Sequence, residues 1–276
     1  MQRRLFMTSV AACSLAAHAG GALVLRFSVL MSNPGAQALH GQRLWMYLPV
    51  AQGQHGRVTR QDVDAPHSFV TDRLGHNILE LQPGMVPAHG RRIARITVEL
   101  EAGADVQSRA QPQTQWLAPQ VNIESDHPDL VAAATPLRQG TPQATARSVF
   151  DWVAASLTYA GYLGEDLGAL RALQTRRGDC TEYAALVVAL CRACGVPARM
   201  VGGYFTQRSL APRPTDYHNW AEIWLDGRWR VADAQLRHWQ TLEQHYIPFR
   251  YYWDSEINPV GLAHRYRVAG EMQVSM

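Results

Sequence analysis

The stretch His218-Asn-Trp-Ala-Glu-Ile-Trp-Leu-Asp-Gly-Arg-Trp-Arg-Val-Ala-Asp233 decides the fold of the region around it. Asp226-Gly227 is a preferred pair for a two-residue type I′ turn, so the residues on either side are predicted to form a β-hairpin. The turn fixes the cross-strand pairs as Leu225 with Arg228, Trp224 with Trp229, Glu222 with Val231, and Trp220 with Asp233. Because side chains alternate between the faces of a strand, His218 shares a face with Asp233. The two become diagonal neighbours with Cα atoms about 7–8 Å apart, within reach of a side-chain hydrogen bond.

Cys180 stands where a helix is predicted to begin. Gly178 and Asp179 precede it, and the apolar run that follows ends near Ala193, before the glycine and proline of Gly195-Val196-Pro197. A nucleophilic cysteine must be a thiolate, and the unpaired N–H groups of a helix start favour negative charge. The position alone fits a half-buried structural cysteine equally well. Packed against the face of the hairpin, Cys180 would complete a set of thiol, imidazole and carboxylate.

Three motifs resemble the core of the transglutaminase-like superfamily. They are Arg177-Gly-Asp-Cys-Thr-Glu-Tyr-Ala-Ala-Leu186, then Ala193-Cys-Gly-Val-Pro-Ala-Arg-Met-Val-Gly-Gly-Tyr204, and then His218-Asn-Trp-Ala-Glu-Ile-Trp224 with Asp233. The resemblance covers about residues 125–240. That family contains transglutaminases, peptide N-glycanases and bacterial proteins regarded as thiol proteases or amidases. The resemblance implies a papain-like arrangement with Cys180 as nucleophile, His218 as its base and Asp233 orienting the histidine.

The chemistry that the resemblance implies is a two-step acyl transfer that needs no cofactor and no metal. His218 takes the thiol proton, Cys180 attacks an amide carbonyl, an amine leaves, and water or a second amine resolves the thioester. The backbone N–H of Cys180 is the expected oxyanion donor, and Tyr162 and Gln174 are candidates for a second donor. Calcium activation is not carried over, because the chain lacks a match to the calcium-binding and C-terminal barrel regions of animal transglutaminases.

Two outcomes of this chemistry stay open. The preferred hypothesis is hydrolysis of a peptide or protein amide in the cell envelope, and protein-glutamine transamidation (cross-linking) is the close alternative, since the residues do not separate water from an amine. A catalytically inactive peptide-binding module is a rival hypothesis, against which the intact Cys, His and Asp argue. An arylamine-type acyltransferase is another, against which Gly178-Asp179-Cys180 and His218-x-Trp220 argue.

The distribution of strand and helix patterns indicates the fold class. Short runs rich in branched and aromatic residues, separated by Gly, Pro, Asn and Asp, predict an all-β, immunoglobulin-like sandwich at 23–30, 44–50 and 93–100. Helical patterns follow at 141–157, 165–173 and 180–193, and strands at 198–205, 217–225 and 228–232. Helices packed on an antiparallel sheet make an α+β papain-like core behind the sandwich. The predicted domains are a signal peptide at 1–19, a β-sandwich domain at 20–105, a linker at 106–124 and a catalytic domain at 125–276.

The first residues predict export. Arg3 and Arg4 precede an apolar run that ends at Ala17-His18-Ala19, a small-x-small cleavage site, and the run is too short to span a bilayer. The paired arginines also resemble a twin-arginine signal, and Cys13 fits a lipoprotein site less well. We therefore expect a periplasmic or secreted protein without an integral membrane span. The net charge is +3 over 276 residues, and there is no local basic cluster. The chain therefore lacks the positive electrostatic field that nucleic-acid binding needs.

Other residues have an ordinary structural interpretation beside a functional one. Cys191 and Cys194 are predicted to pack in the core, with a disulfide formed after export as the alternative. The hairpin tryptophans either line a substrate groove or pack a core face, and Glu222 is predicted to support the hairpin. Three histidines lack metal-ligand spacing and are predicted to be surface or structural residues: His238, His245 and His264. The loop Thr206–Asp216 ends just before His218 and is expected to shape specificity.

Overall fold

The computed structural model describes residues 22–101, 114–255 and 257–276. The predicted signal peptide, 1–19, and residues 106–113 of the predicted linker lie outside these ranges. Within them the secondary structure has the predicted α+β class, with strands first, then helices, then a second antiparallel sheet.

The N-terminal strands alternate buried apolar and exposed polar residues, which is the pattern of a sheet with one face on a core. In the first strand Leu25, Phe27 and Val29 are buried, whereas Arg26 and Ser28 are exposed. The strands are β1 (Leu23–Ser32), β2 (Arg43–Leu48), β3 (Gln52–Gly53), β4 (Gly56–Val63), β5 (His67–Thr71), β6 (Asn77–Leu81) and β7 (Arg91–Glu101).

The helices and most of the remaining strands form the second half of the molecule. The helices are α1 (Pro128–Ala134), α2 (Pro142–Ser156), α3 (Gly168–Thr175) and α4 (Cys180–Ala193). The strands are β8 (Thr158–Tyr159), β9 (Arg177–Gly178), β10 (Ala198–Phe205), β11 (Tyr217–Leu225), β12 (Arg228–Asp233), β13 (His238–Trp239) and β14 (Tyr246–Tyr251). One sheet has the order β13-β12-β11-β10-β14, and β8 pairs with β9 in parallel.

Helix α4 lies at the centre of the helical layer. Every residue from Thr181 to Arg192 is buried, as expected for a helix covered on all sides. It contacts the sheet through β10 and β11 and is flanked by the other helices. Its bounds agree with the predicted helix at 180–193, whereas α3 begins three residues later than predicted, at Gly168. Side chains at the start of α4 bind the backbone before Gly168 and hold it as a loop.

The last strands of the chain return to the N-terminal sandwich. They are β15 (Tyr266–Ala269), which pairs with β2, and β16 (Gln273–Ser275), which pairs with β1. The two facing sheets then have the orders β16-β1-β7-β4-β3 and β15-β2-β6-β5. These pairings cross the predicted boundary of the domain at 125–276, because its last strands complete the sandwich.

The hairpin of β11 and β12 has the predicted turn and register. Asp226 and Gly227 both have positive φ angles, 52° and 77°, as a type I′ turn requires. The cross-strand partners include the predicted pairs Leu225 with Arg228, Trp224 with Trp229, and Glu222 with Val231.

Glycine is required where β10 passes between its neighbours. Gly203 pairs with His218 of β11 and with Pro248 of β14. A Cβ atom on Gly203 would lie 2.1 Å from the carbonyl oxygen of Ile247 and 2.9 Å from the ring of Trp220. The absence of a side chain therefore lets β14 and the Trp220 ring approach β10 at the residue that pairs with His218.

A buried histidine joins the sandwich to the sheet that contains β14. Nδ1 of His76 is 2.6 Å from Oδ2 of Asp72, and its Nε2 accepts the backbone N–H of Tyr251 at 2.7 Å. Asp72 also accepts a hydrogen bond from the Asn258 amide at 2.9 Å. Two segments that are distant in the sequence meet at this latch, as we call the group of His76, Asp72, Tyr251 and Asn258.

The part of the predicted linker that the structure describes is ordered. Residues Thr114–Leu117 form a short 3-10 helix whose Trp116 is buried. The Trp116 ring packs at 6.0 Å from Trp229 and 5.8 Å from Trp253. Among the described residues, no helix combines the length and the apolar character needed to cross a membrane.

Candidate active site

A capping box fixes the start of α4 and so the position of Cys180. Oδ1 of Asp179 accepts the backbone N–H of Thr181 at 2.8 Å, and Oε2 of Glu182 accepts the backbone N–H of Asp179 at 3.0 Å. A Cβ atom on Gly178 would lie 2.2 Å from Cβ of Glu182, so glycine is needed for this close turn. Cys180 is the first residue of the helix, and its thiol is free and half-buried.

The same carboxylates hold the loop that precedes α3. Oδ2 of Asp179 accepts the backbone N–H of Leu163, and Oε1 of Glu182 accepts that of Leu167, each at 2.9 Å. Burial and the nearby charge of Asp179 raise the pKa of the Glu182 carboxyl, and its hydrogen bonds from backbone N–H groups oppose that rise. The loop and the helix start therefore form one hydrogen-bonded unit around Cys180.

His218 lies between Asp233 and Cys180. Its Nε2 is 2.6 Å from Oδ2 of Asp233, so the predicted contact between these side chains is confirmed. Because Nε2 faces the carboxylate, Nδ1 is the ring nitrogen left for the nearby Cys180 thiol, which contributes to the raised pKa of His218. Burial lowers the pKa of His218, but the charge and hydrogen bond of Asp233, together with Cys180, outweigh it and raise that pKa to about 10.

Asp233 is a buried carboxylate whose oxygens are used by several donors. Besides the contact with His218, Oδ2 accepts the hydroxyl of Tyr246 at 2.8 Å, and Oδ1 accepts the backbone N–H of Leu236 at 3.0 Å. Burial raises the pKa of Asp233, but the charge of His218 and these hydrogen bonds lower it more, so the net shift is downward. The carboxylate stays charged inside the protein and faces an imidazole that favours its protonated form.

The ring of Trp220 covers one side of His218. The two rings are nearly parallel, with centroids 6.3 Å apart and an interplanar angle of 26°. Trp220 is fully buried and packs edge-on against Tyr246 at 5.1 Å. The imidazole therefore has one packed face, which limits its rotation.

A hydrogen-bonded chain supports the residue next to Cys180. The Asn219 amide donates to the hydroxyl oxygen of Thr181 at 2.9 Å, and the Tyr252 hydroxyl donates to Oδ1 of Asn219 at 3.0 Å. The Tyr252 oxygen is also 2.9 Å from Nδ1 of His264, whose Nε2 is 2.9 Å from Asp166. Strand β11 thus presents His218 to the thiol on one face and anchors α4 with Asn219 on the other.

Comparison with known proteins identifies the region that carries this geometry. Residues 131–234 match the family model described as the transglutaminase-like superfamily. These residues form a transglutaminase-like domain. The predicted resemblance and the α+β fold class are confirmed.

Solved structures match this chain at low sequence identity. One is a Cytophaga hutchinsonii protein that carries a provisional cysteine-protease name, with 15% identity and a TM-score of 0.65 over 93% of this chain and 89% of that chain. Another is the periplasmic domain of TgpA from Pseudomonas aeruginosa, with 20% identity and a TM-score of 0.41 over 75% of each chain. No curated protein matches the sequence.

The other cysteines of the transglutaminase-like domain lie away from the thiol of Cys180. Cys191 is fully buried in the core around α4, and Cys194 is half-buried, with its Sγ 3.4 Å from the carbonyl oxygen of Ala134. Both are free thiols, and burial raises the pKa of each. The structure therefore has the core-packing arrangement rather than the disulfide alternative.

The hairpin tryptophans and Glu222 hold the sheet together. Trp220 and Trp229 are buried, and Trp224 packs edge-on against Trp229 at 5.4 Å. Glu222 pairs with Arg199 of β10 through two hydrogen bonds of 2.8 and 2.6 Å. These contacts support the core-packing interpretation of the tryptophans and the predicted structural role of Glu222.

The histidines outside the predicted triad have different surroundings. Nδ1 of His238 is 2.8 Å from the Tyr246 hydroxyl, and His264 contacts Tyr252 and Asp166, as described above. His245 is half-buried, and its ring centroid lies 6.5 Å from that of Phe205. Within the described ranges, no group of three or more His, Cys, Asp or Glu side chains is placed to hold a metal ion.

The residues predicted to complete the oxyanion site and to gate it lie in exposed positions or in a loop tied to the sandwich. Tyr162 and Gln174 are exposed, whereas the charge of Cys180 contributes, after burial, to a raised pKa of Tyr159. The loop Thr206–Asp216 is tied to β1, because Leu210 exchanges backbone hydrogen bonds of 3.0 Å with its residues. A second oxyanion donor and a gating role for this loop stay predictions.

The sequence patterns did not indicate the polar residues that surround the predicted triad. Tyr246 reaches Asp233 and Tyr252 reaches Asn219, and both tyrosines come from β14 or the residue after it. The signal available was the run 246–252, whose branched and aromatic residues are typical of a strand, but nothing in it indicates which partner each hydroxyl meets.

Proposed function

We propose that this protein is a thiol-dependent enzyme that transfers acyl groups from amide bonds, with hydrolysis of a peptide or protein amide in the cell envelope as its reaction. The observation that carries the proposal is the position of His218 between the buried carboxylate of Asp233 and the thiol of Cys180. The location rests on the predicted signal at residues 1–19.

The acylation step uses each of the three side chains. Nδ1 of His218 takes the thiol proton, and the sulfur of Cys180 forms a bond to the amide carbonyl carbon, whose π electrons move onto the oxygen. The carbonyl then re-forms, the C–N bond breaks, and the imidazolium gives its proton to the departing amine. Asp233 keeps the imidazole oriented and stabilises its charge throughout.

The deacylation step returns the enzyme to its starting state. Neutral His218 removes a proton from water, the hydroxyl adds to the thioester carbonyl, and the C–S bond breaks to release a carboxylic acid. The sulfur of Cys180 recovers its proton from the imidazolium. An amine in place of water would give a new amide, which is transamidation.

The start of α4 supplies charge stabilisation during both steps. The backbone N–H of Cys180 belongs to the first turn of the helix, where N–H groups lack partners within the helix. Directed at the oxyanion, one such donor contributes about 3–4 kcal/mol to a transition state of this kind. The helix dipole favours the thiolate at the same place.

Alkylation of the thiols tests the proposal. The purified protein would be treated with iodoacetamide between pH 5 and pH 8, and the modified cysteine located by mass spectrometry. We expect Cys180 to react selectively, with Cys191 and Cys194 as internal controls, because burial raises the pKa of both. The selectivity should disappear in His218→Ala. Equal slow labelling of all cysteines would favour the inactive peptide-binding module.

The choice between water and amine is tested with glutamine-containing peptides and a fluorescent primary amine. Hydrolysis gives ammonia without dye incorporation, and transamidation gives both. The chain contains no lysine, so it offers no side-chain amine to its own thioester. Any isopeptide cross-link formed with an added lysine-bearing protein therefore uses the lysines of that protein.

A further inference from the structure

The carboxylate of Asp233 receives support from a second pair of side chains on the side away from the thiol. The Tyr246 hydroxyl is 2.8 Å from Oδ2 of Asp233, the same oxygen that lies 2.6 Å from Nε2 of His218. Nδ1 of His238 is 2.8 Å from the Tyr246 hydroxyl oxygen. The polar contacts thus continue beyond the predicted triad from Asp233 to Tyr246 and then to His238.

The chemistry of these groups fixes the direction of each hydrogen bond. An ionised carboxylate can only accept, so the single hydroxyl proton of Tyr246 points to Asp233. The Tyr246 oxygen is then the acceptor for His238, whose Nδ1 must carry a proton. His238 is therefore either the Nδ1–H tautomer or the imidazolium, and in both forms it strengthens the hydrogen bond that Tyr246 donates.

Packing holds both side chains in these positions. Tyr246 is almost fully buried, at 1% exposure, and its ring lies between Trp220 and Phe205 with centroid distances of 5.1 and 4.7 Å. His238 is the cross-strand partner of Asp233 in the pairing of β12 with β13, and its ring also packs against Phe205 at 5.2 Å. The backbone register therefore places His238 beside the carboxylate that it reaches through Tyr246.

We propose that Tyr246 and His238 are positioning residues for catalysis, which hold Asp233 ionised and aimed at Nε2 of His218. This inference rests on the proposed function, because it assigns the two residues a role in that reaction. They act through Asp233, which Tyr246 contacts directly and His238 reaches through Tyr246. Their role resembles that of the outer partners that orient the ligands of a metal site.

The expected consequence concerns the acidic side of the pH profile. The hydrogen bond from Tyr246 helps to hold the pKa of Asp233 below its usual range, so its loss should let that carboxyl take up a proton at a higher pH. The titratable groups that face Asp233 in the described structure are His218 of β11 and Tyr246 of β14. Cys180 of α4 and His238 of β13 lie one contact further away.

The experiment compares Tyr246→Phe, His238→Leu and His238→Asn with the wild type. Asparagine keeps an N–H near the position of Nδ1, so His238→Asn is the matched control for His238→Leu. The rate of alkylation of Cys180 is measured from pH 4 to pH 9, with thermal unfolding followed in parallel. We expect Tyr246→Phe to lose about tenfold to a hundredfold in rate near pH 5 and much less at pH 8, as for loss of a hydrogen bond to a charged group. His238→Leu should show a smaller shift in the same direction, and His238→Asn should restore the wild-type profile.

The outcomes separate this inference from the proposed function. A wild-type protein whose Cys180 is not selectively alkylated would overturn the proposed function itself. If the wild type reacts selectively but Tyr246→Phe and His238→Leu keep its pH profile, the positioning role is wrong. A uniform loss of rate at every pH, accompanied by a lower unfolding temperature, would likewise show that the two residues only stabilise the fold.

Discussion

Two histidine–aspartate pairs of the same length lie in different regions of this molecule. Nε2 of His218 is 2.6 Å from Asp233, and Nδ1 of His76 is 2.6 Å from Asp72, and both histidines are largely shielded from solvent. The pairs differ at the other ring nitrogen. In His218 that nitrogen is left for a cysteine thiol, whereas in His76 it accepts the backbone N–H of Tyr251 at 2.7 Å.

This difference is why we propose that the His218–Asp233 pair is reactive and the His76–Asp72 pair is structural. The second nitrogen of His76 is committed to a backbone donor, so the ring is held as the neutral Nδ1–H tautomer and has no nitrogen with which to activate a nucleophile. The ring of His218 keeps one nitrogen available to the sulfur, and the charge of Asp233 favours its protonated form. A histidine beside a carboxylate is therefore no evidence of catalysis until the partner of its second nitrogen is known.

The largest expected effect comes from variants that remove Cys180 or His218, the residues of the proposed reaction. Cys180→Ala removes the nucleophile, and His218→Ala removes its base, so each should lower the rate of amide cleavage by about 10³-fold or more while the protein still folds. Steady-state assays with a susceptible peptide measure the rate, and circular dichroism checks the fold. A His218→Ala variant with more than a tenth of the wild-type rate would contradict the proposed mechanism.

The second effect breaks the structural pair. His76→Ala leaves the buried carboxylate of Asp72 without its imidazole and the N–H of Tyr251 without its acceptor, and it should cost about 3–5 kcal/mol in the free energy of unfolding. Denaturant titration measures this cost. The activity per folded molecule should stay within a few-fold of the wild type. A fully stable His76→Ala protein with lost activity would reverse the roles that we assign to the two pairs.

The third effect is the pH dependence of the stability that His218 supplies. Its pKa rises on folding from an ordinary value of 6.5 to about 10. Its contribution to the free energy of unfolding is therefore complete below pH 6.5 and fades as the pH rises toward 10. The pKa of Asp233 falls on folding, so its contribution is lost as the pH drops below the ordinary range of a carboxyl. The stability difference between wild type and His218→Gln should be a few kcal/mol near pH 5.5 and should shrink steadily by pH 9.5.

Denaturant titrations of both proteins at several pH values check this prediction. Since the groups that titrate elsewhere in the chain are the same in both proteins, their effects cancel to first order in the difference. A difference that stays constant from pH 5.5 to pH 9.5 would mean that His218 gains no protonation on folding.

The smallest expected effect comes from the residues that support the helix start beside Cys180. Asn219→Ala removes the link between Tyr252 and Thr181, the residue next to Cys180, without touching either histidine–aspartate pair. We expect a loss of about 1–2 kcal/mol of stability and a rate lowered by about tenfold, mainly in kcat. Asn219→Asp, which keeps the acceptor for Tyr252 but not the donor to Thr181, is the matched variant. An unchanged kcat in both variants would show that the anchoring of α4 by β11 has no bearing on the reaction.

The sequence by itself determined the local elements that carry the predicted site. The Asp226-Gly227 turn and the alternation of side chains place His218 and Asp233 on one face, because both rules depend on neighbouring residues alone. The start of α4 at Cys180 follows in the same way from the glycine and the capping residue before it.

Only the tertiary structure decided which distant segments meet. The approach of Cys180 to His218, the contact of Tyr246 with Asp233, and the return of the last strands to the sandwich join residues far apart in the chain. It also decided that His76 forms a latch while His218 faces a thiol, a distinction absent from the pattern around either residue. The physical reason is that such contacts depend on how whole layers pack. A local pattern of residue types indicates only the strand or helix in which it lies.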